Sequence, residues 1–308
     1  MRRGRDEKSK LSIVNLKGLH LLLTFRCDRA CDHCFVWGSP RRTGTMTLKD
    51  IDHILSQARE AGMIEEIWLE GGEPFLYYGV LVEGVRRAKK LGFRTGIVTN
   101  GYWAQTVEDA GAWLAPLKGC LDSLLVSCDN IHWDSDAEKV SGVARAAAGE
   151  LGIPIGVLAT DLPRPEKTRK TGEPVKGIMY RGRAAVKMTP GVATRPWDVF
   201  GRCPYESLGD PARVHVDHLG NLHVCQGITM GNLAVRPLKD ILGGFDPASH
   251  PVIGPLVAGG PAELIRRWDV PHHEGYVDAC HACYEARKAL RDRFRAVLAP
   301  DGMYGEDS

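Results

Sequence analysis

Short apolar runs alternate with amphipathic segments along the first half of the chain. Leu19–Phe25, Ile64–Glu70, Arg94–Thr99, Asp122–Ser127 and Ile153–Thr160 are rich in apolar and β-branched residues. Several are nearly unbroken, which predicts strands covered on both faces. Val175–Tyr180 is a weaker sixth candidate. The segments between carry helical stripes. Leu48, Ile51, Leu55 and Ala58 share one face, opened by Thr47 with Asp50 three residues on, the spacing of a capping box. Thr106 and Asp109 repeat the device ahead of Val107, Ala110, Leu114 and Leu117. Leu81, Val85 and Ala88 line another helix that Gly92 can end. Val140, Val143, Ala147 and Leu151 line a fourth, with Gly152 placed for a left-handed cap. Repeated strand–helix units predict an α/β fold of parallel strands joined by right-handed crossovers. The pattern does not separate a barrel from an open sheet.

The rhythm breaks after the fifth run. Asp161–Gly177 sets Pro163, Pro165 and Pro174 among Arg164, Lys167, Arg169 and Lys170 with no helical period, and is expected as a solvated basic loop. From about Arg202 the chain is turn-rich. Arg213–Val216 and Leu222–Val224 flank Asp217–Asn221 as a hairpin would. The expected organisation is a core over residues 15–200 and a small second domain over 201–308. A closing helix carries Leu290, Phe294, Val297 and Leu298 and stops at Pro300.

Composition narrows the function. A length of 308 residues is roughly two domains' worth. Forty Lys and Arg against thirty-eight Asp and Glu leave a charge of +2, which argues against nucleic acid or a membrane surface as partner. No apolar run approaches the ~18 residues of a membrane span. No apolar signal core follows the charged segment Met1–Lys10, so a cytoplasmic location is expected. Nine cysteines, an odd number, then read as metal ligands or catalytic thiols rather than as a disulfide framework.

Three of them stand as Cys27-x3-Cys31-x2-Cys34, directly after the first strand. Three thiolates on one loop can hold three irons of a [4Fe–4S] cube and leave the fourth open to a small molecule. Zinc completed by His33 or Asp32 is the competing reading. Gly71-Gly72-Glu73-Pro74 ends the second strand, where glycines allow close backbone approach and Glu73 offers an acceptor to an ammonium group. Both motifs fall at strand carboxyl ends, where parallel α/β folds bind ligands.

This pair resembles the radical S-adenosylmethionine (SAM) superfamily. The resemblance implies a partial (β/α)5–6 TIM-like barrel, with Cys27, Cys31 and Cys34 as cluster ligands. It implies that Gly71, Gly72, Glu73 and Pro74 bind the methionine end of SAM. His33 stands where the family usually has an aromatic residue near the adenine. Asn100 ends the third strand and faces the same ligand, and Ser127 and Asp129 at the fourth are implied to reach the ribose. Turn capping explains Ser127 and Asp129 equally well.

Cys203, Cys225 and the pair Cys280-x2-Cys283 form a second set. It resembles the SPASM extension of this superfamily, and more closely the shortened Twitch version, which implies one auxiliary [4Fe–4S] cluster on these four. Zinc is again the alternative. His215, His218 and His223 read as exposed imidazoles of the hairpin, Cys120 as a core residue, and Cys128 as packed rather than reactive. The resemblance implies an enzyme that cleaves SAM reductively to a 5′-deoxyadenosyl radical. It further implies a donor such as flavodoxin or ferredoxin and net oxidation of a small molecule or peptide. The rival is an iron–sulfur or zinc scaffold without SAM turnover.

Overall fold

A computed structural model describes residues 15–128, 136–158 and 177–306. The chain begins with β1 (Gly18–Leu22), α1 (Leu48–Ala61), β2 (Glu66–Glu70), α2 (Tyr78–Lys90) and β3 (Arg94–Thr99). It continues with α3 (Val107–Leu114), β4 (Ser123–Ser127), α4 (Ala137–Leu151) and β5 (Ile155–Leu158). The five strands are parallel in the spatial order β5-β4-β3-β2-β1. Local signals set the helix limits as expected. The Thr47 side chain accepts from the Asp50 amide and Asp50 reciprocates, while Gly62 and Gly152 close α1 and α4 in the left-handed conformation.

One face of the sheet is dry. Leu19, Leu21, Ile67, Leu69, Ile97, Leu124 and Val126 are fully buried with the helix residues Leu55, Leu81, Val85, Ala110 and Ala144. Burying each leucine contributes roughly 2 kcal/mol. Gly84 on α2 has no room for a side chain, because a Cβ there would lie 3.0 Å from Leu69 and 3.1 Å from Ile51. The opposite face is aromatic and polar. His20 stacks on Trp68 at 5.6 Å, and the Trp68 ring covers Gly96 so closely that a Cβ there would sit 2.3 Å from it. This second face bears the site.

Beyond β5 come α5 (Ala184–Lys187), β6 (Arg195–Pro196), β7 (Arg213–Asp217), β8 (Asn221–Cys225) and β9 (Ile228–Asn232). Then follow α6 (Leu238–Gly243), α7 (Ile253–Trp268), β10 (Gly275–Tyr276) and α8 (Ala279–Ala289). The hairpin β7–β8 forms as expected, but β7 also lies parallel to β1 over five residues, Gly18↔Arg213 to Leu22↔Asp217. One eight-stranded sheet therefore runs from β5 to β9.

Three local expectations are corrected. Ile178–Tyr180 form no strand, and the sheet is extended instead by β7 beside β1. Residues 159–176, which hold nearly all of the basic loop, lie outside the described residues. The hairpin imidazoles are not exposed. His223 is fully buried against Asp217, His215 faces Glu70, and His218 meets Phe25 edge-on at 4.8 Å. The closing helix ends at Ala289, and Leu290–Val297 continue as turns whose apolar side chains still reach the core. Apolar spacing there reported burial, not helical backbone.

The hairpin turn depends on Asp217. Its Oδ1 accepts from the Leu219 and Asn221 amides at 2.9 Å, and its Oδ2 from Asn221 Nδ2 and His223 Nε2 at 2.9 Å. Burial alone would raise this carboxyl, but the His223 and Asn221 hydrogen bonds outweigh it and hold the carboxyl below its ordinary value. A depressed carboxyl stabilises the fold above its unfolded value of about 3.9 and loses that contribution as pH falls through the lower folded value. Asp217→Asn should therefore cost about 1–3 kcal/mol at neutral pH. It should also flatten the acid side of a plot of melting temperature against pH. An unchanged acid limb would remove Asp217 from this role.

Candidate functional site

The cysteine loop leaves β1 through Leu23–Arg26 and is tied down along its length. Cys27 N donates to Ser39 O at 3.1 Å, Cys34 N to Cys31 O at 3.1 Å, and Gly38 N to Cys34 Sγ at 3.1 Å. A Cβ on Gly38 would meet Cys34 Sγ at 3.4 Å and Cys27 Cβ at 3.5 Å, so these two cysteines share one wall of the loop. Burial pushes the Cys27 thiol far up, and the Glu73 and Asp28 carboxylates add to the effect. Such a thiol ionises readily only next to strong positive charge, as a metal provides. The donor set fits a cluster held by Cys27, Cys31 and Cys34.

A second segment clamps this loop. Arg183 Nη1 donates to Cys31 O at 2.6 Å and Nη2 to Gly38 O at 2.8 Å, and its amide donates to Cys34 O at 3.0 Å. Gly182 has φ +61, and a Cβ there would lie 2.6 Å from Cys34 O. Sequence reading missed Arg183 entirely. It lies more than 140 residues from its partners, and no local pattern marks it.

The glycine turn is a close backbone contact. Leu23 N donates to Glu70 O at 2.8 Å, Gly72 N to Thr24 O at 2.7 Å and Glu73 N to Arg26 O at 2.9 Å. Gly71 has φ +143, and a Cβ on Gly71 or Gly72 would lie 2.4 Å from Thr24 O or 2.1 Å from Arg26 O. Leu23–Phe25, expected as the end of the first strand, thus run with Arg26 along the turn instead of extending β1. Glu73 is fully buried. Its Oε1 accepts from Phe75 N at 3.0 Å and Thr99 Oγ1 at 2.8 Å, and its Oε2 from Asn100 N at 2.7 Å. Three of about four acceptor positions are therefore filled from within the protein. Burial pushes the carboxyl up to about 7 against the pull of those donors.

Asn100 completes the junction. Its Nδ2 donates to Asp28 Oδ1 at 2.7 Å and lies 3.7 Å from Cys27 Sγ. The ends of β1, β2 and β3 are thereby linked through Cys27, Glu73 and Asn100. Asp28 is a second residue that sequence reading passed over, although an acid right after the first cysteine was visible. Ser127 ends β4 nearly buried, His33 sits half-buried on the cysteine loop, and Asp129 lies outside the described residues. Cys128 Sγ lies 3.2 Å from Ser141 Oγ, and Cys120 Sγ donates to Leu117 O at 3.1 Å.

Cys203, Cys225, Cys280 and Cys283 line one pocket with Arg181 and Arg287. Cys280 and Cys283 stand in the first turn of α8, not before the last helix, because Asp278 caps that helix by accepting from His281 N at 2.7 Å. Three residues apart, they share a helix face. Burial pushes up the Cys203 and Cys280 thiols, and Cys283 to about 11. Arg181 Nη1 lies 3.3 Å from Cys225 Sγ, and its buried Nε has no partner. Arg287, 1% exposed, donates from Nη1 to Gln226 O at 2.5 Å and from Nε to Cys283 O at 3.3 Å. Buried guanidinium charge needs negative compensation. Glu206, 3.8 Å from Arg181, supplies part of it, and metal-bound thiolates would supply the rest, so this donor set also fits a cluster.

Residues 21–135 match the Radical SAM superfamily profile. That segment belongs to the radical SAM superfamily. Membership implies a [4Fe–4S] cluster and SAM. YydG of Bacillus subtilis, named for peptide biosynthesis, is 26% identical over 117 residues, 38% of this chain and 37% of its own length. A protein of Methanothermobacter marburgensis named as a probable GTP 3′,8-cyclase is 34% identical over 118 residues, 38% of this chain and 36% of that one. A SAM-dependent nucleotide dehydratase of Selenomonas ruminantium is 31% identical over 83 residues, 27% of this chain and 29% of that one. The match to the first two thus spans little more than a third of their length. The solved structure of BtrN in complex with AdoMet and 2-DOIA aligns over 75% of this chain and 83% of its own, at 16% identity and a TM-score of 0.49. Among the described residues, no helix is long and apolar enough to cross a membrane.

Gly72→Ala tests the junction. Its Cβ would meet backbone that cannot yield, so a loss of more than about 2 kcal/mol is expected in a denaturant melt. Gly62→Ala, at positive φ but with open space around it, should cost only about 1 kcal/mol. Equal losses would mean that the close approach is not what requires glycine.

Proposed function

We propose that this chain is an enzyme that cleaves SAM reductively and oxidises a small molecule or a peptide. The observation that carries the reading is the hydrogen-bonded junction of Cys27, Asp28, Glu73 and Asn100, which brings a three-thiol loop and a glycine turn to one place. A cluster at Cys27, Cys31 and Cys34, when bound with SAM, supplies a 5′-deoxyadenosyl radical that takes a hydrogen atom from the substrate. The protein positions and shields.

In this reading the backbone at Gly71, Gly72 and Pro74 receives the methionine end of SAM. Glu73 holds that turn against Thr99 and Asn100, with one acceptor position left for the ammonium group. Asn100, Ser127, Asp129 and His33 bound the nucleoside. Arg183 keeps the cysteine loop closed while the ligand exchanges. Residues 201–308 act as an auxiliary unit in which Cys203, Cys225, Cys280 and Cys283 hold a second [4Fe–4S] cluster. Arg181 and Arg287 place positive charge beside it and so favour the state with one more electron. That direction suits net oxidation of the substrate. An external one-electron donor such as flavodoxin or ferredoxin serves the first cluster in the cytoplasm, with no nucleic-acid or membrane partner. The rival reading, a scaffold without SAM turnover, gives the glycine junction only the task of supporting the cysteine loop.

Anaerobic reconstitution should yield about eight irons per chain, and the triple Ala variant of Cys27, Cys31 and Cys34 about four. Tightly held zinc in place of iron at either set would overturn the two-cluster reading. With dithionite, the wild type should form 5′-deoxyadenosine slowly without substrate. Glu73→Ala should weaken SAM binding and leave the iron content unchanged. Loss of iron instead would make the turn a support of the cluster alone.

The two sets are separable by Cys280→Ala/Cys283→Ala. This variant should keep forming 5′-deoxyadenosine but lose oxidised product, provided that circular dichroism and a melting curve show it folded. Normal product formation by the folded variant would make the second site a structural staple and remove the oxidative half of the reading.

A further inference from the structure

Outside both cysteine sets, the polar face of the sheet holds, among the described residues, one convergent group of metal-ligating side chains. His20 Nδ1 lies 2.6 Å from Glu70 Oε1, and His215 Nε2 lies 3.3 Å from the same oxygen. The three donor atoms all fall within 4.8 Å of one another. We propose that His20, Glu70 and His215 form a mononuclear site for a divalent transition cation, with Zn²⁺ as the test ion. The positions left open by these three ligands would take an oxygen or nitrogen donor of the substrate.

The donors sit on three adjacent strands, β2, β1 and β7, the most rigid support in the fold. His20 pairs in register with Trp68 on one side and His215 on the other, and Glu70 follows Trp68 by two residues, so all three share a face. Neighbouring rings hold the imidazoles. His20 stacks on Trp68 with 13° between the planes and meets the His215 ring at 5.2 Å. The Phe35 ring, next to Cys34, lies 6.0 Å from His215. The group therefore borders the cysteine loop.

Charge points the same way. The Glu70 side chain is 12% exposed, and its ion-pair partners among the described residues are these two histidines alone. Among the described residues, no lysine or arginine forms an ion pair with it. Glu70 is met here by imidazoles, so its compensating charge is either a proton on one of them or a metal ion bound between them. Two imidazoles and one carboxylate are a donor set that suits zinc and ferrous iron and leaves coordination positions open. Donor atoms around tetrahedral zinc stand about 3.4 Å apart for bonds of about 2.1 Å. Shifts of under about 1 Å would bring this group there from its observed spacing.

The test uses the protein with both clusters reconstituted, exposed to zinc chloride and then desalted. Metal analysis should find about one zinc per chain beside an unchanged iron content. X-ray absorption at the zinc edge should show only nitrogen and oxygen neighbours at about 2.0–2.2 Å. Glu70→Gln and His215→Ala should each lower retained zinc at least about tenfold while iron and circular dichroism stay constant. Three results would overturn the site: no retained zinc in the wild type, sulfur neighbours at about 2.3 Å from capture by cysteines, or zinc indifferent to Glu70→Gln. If zinc is absent and Glu70→Gln instead shifts the pH profile of product formation, the counter-charge is an imidazole proton and no metal binds. The wild-type absorption spectrum decides the matter even if both variants misfold. Missing iron in the wild type would count against the cluster reading and leave the zinc result standing.

Discussion

The backbone contact between Gly71–Gly72 and Thr24–Arg26 is the constraint on which the rest of the site depends. Two chain segments approach until only hydrogen fits on the glycine Cα atoms. That approach puts Glu73 within reach of Asn100 and Asn100 within reach of Asp28, so three strand ends share one hydrogen-bonded junction. A buried carboxylate is costly, and here it is tolerated because three protein donors meet it. The cysteine loop inherits its position from this junction. Its own internal hydrogen bonds fix its shape but not its place over the sheet.

Buried arginines perform the corresponding task farther along the chain. Arg183 closes the cysteine loop through two carbonyls, while Arg181 and Arg287 face the second set of thiols. Gly182 stands between the first two, with a conformation and clearance that only glycine meets. One short segment therefore touches both cysteine sets, with Arg183 on one and Arg181 on the other. The two candidate centres share this mechanical connection as well as the sheet.

The sheet divides labour by face. On the helix side, leucine, isoleucine and valine supply the cohesion. On the other, His20, Trp68, Glu70 and His215 form a polar and aromatic surface that only the parallel pairing of β7 with β1 makes continuous. Cohesion on one face frees the other for chemistry.

Much was determined by the sequence alone, because the signals were local. Five strands with four helices between them, the caps at Thr47, Thr106 and Gly152, the three-cysteine loop and the glycine turn are each set within a few residues, where backbone sterics and hydrogen-bond spacing operate. The likeness to a radical SAM domain rested on two such local motifs. Tertiary structure alone decided what long-range contacts control. It placed β7 beside β1, turned Glu73 into the protein, buried His223 on Asp217, and brought Arg183 to a loop more than 140 residues away. Apolar spacing at Leu290–Leu298 was equally uninformative about backbone, since burial can be satisfied by turns. Side chains such as His20, Glu70 and His215 carry no shared pattern along the chain. Their meeting follows from strand order, and strand order is set by the competition of whole strands for one sheet edge.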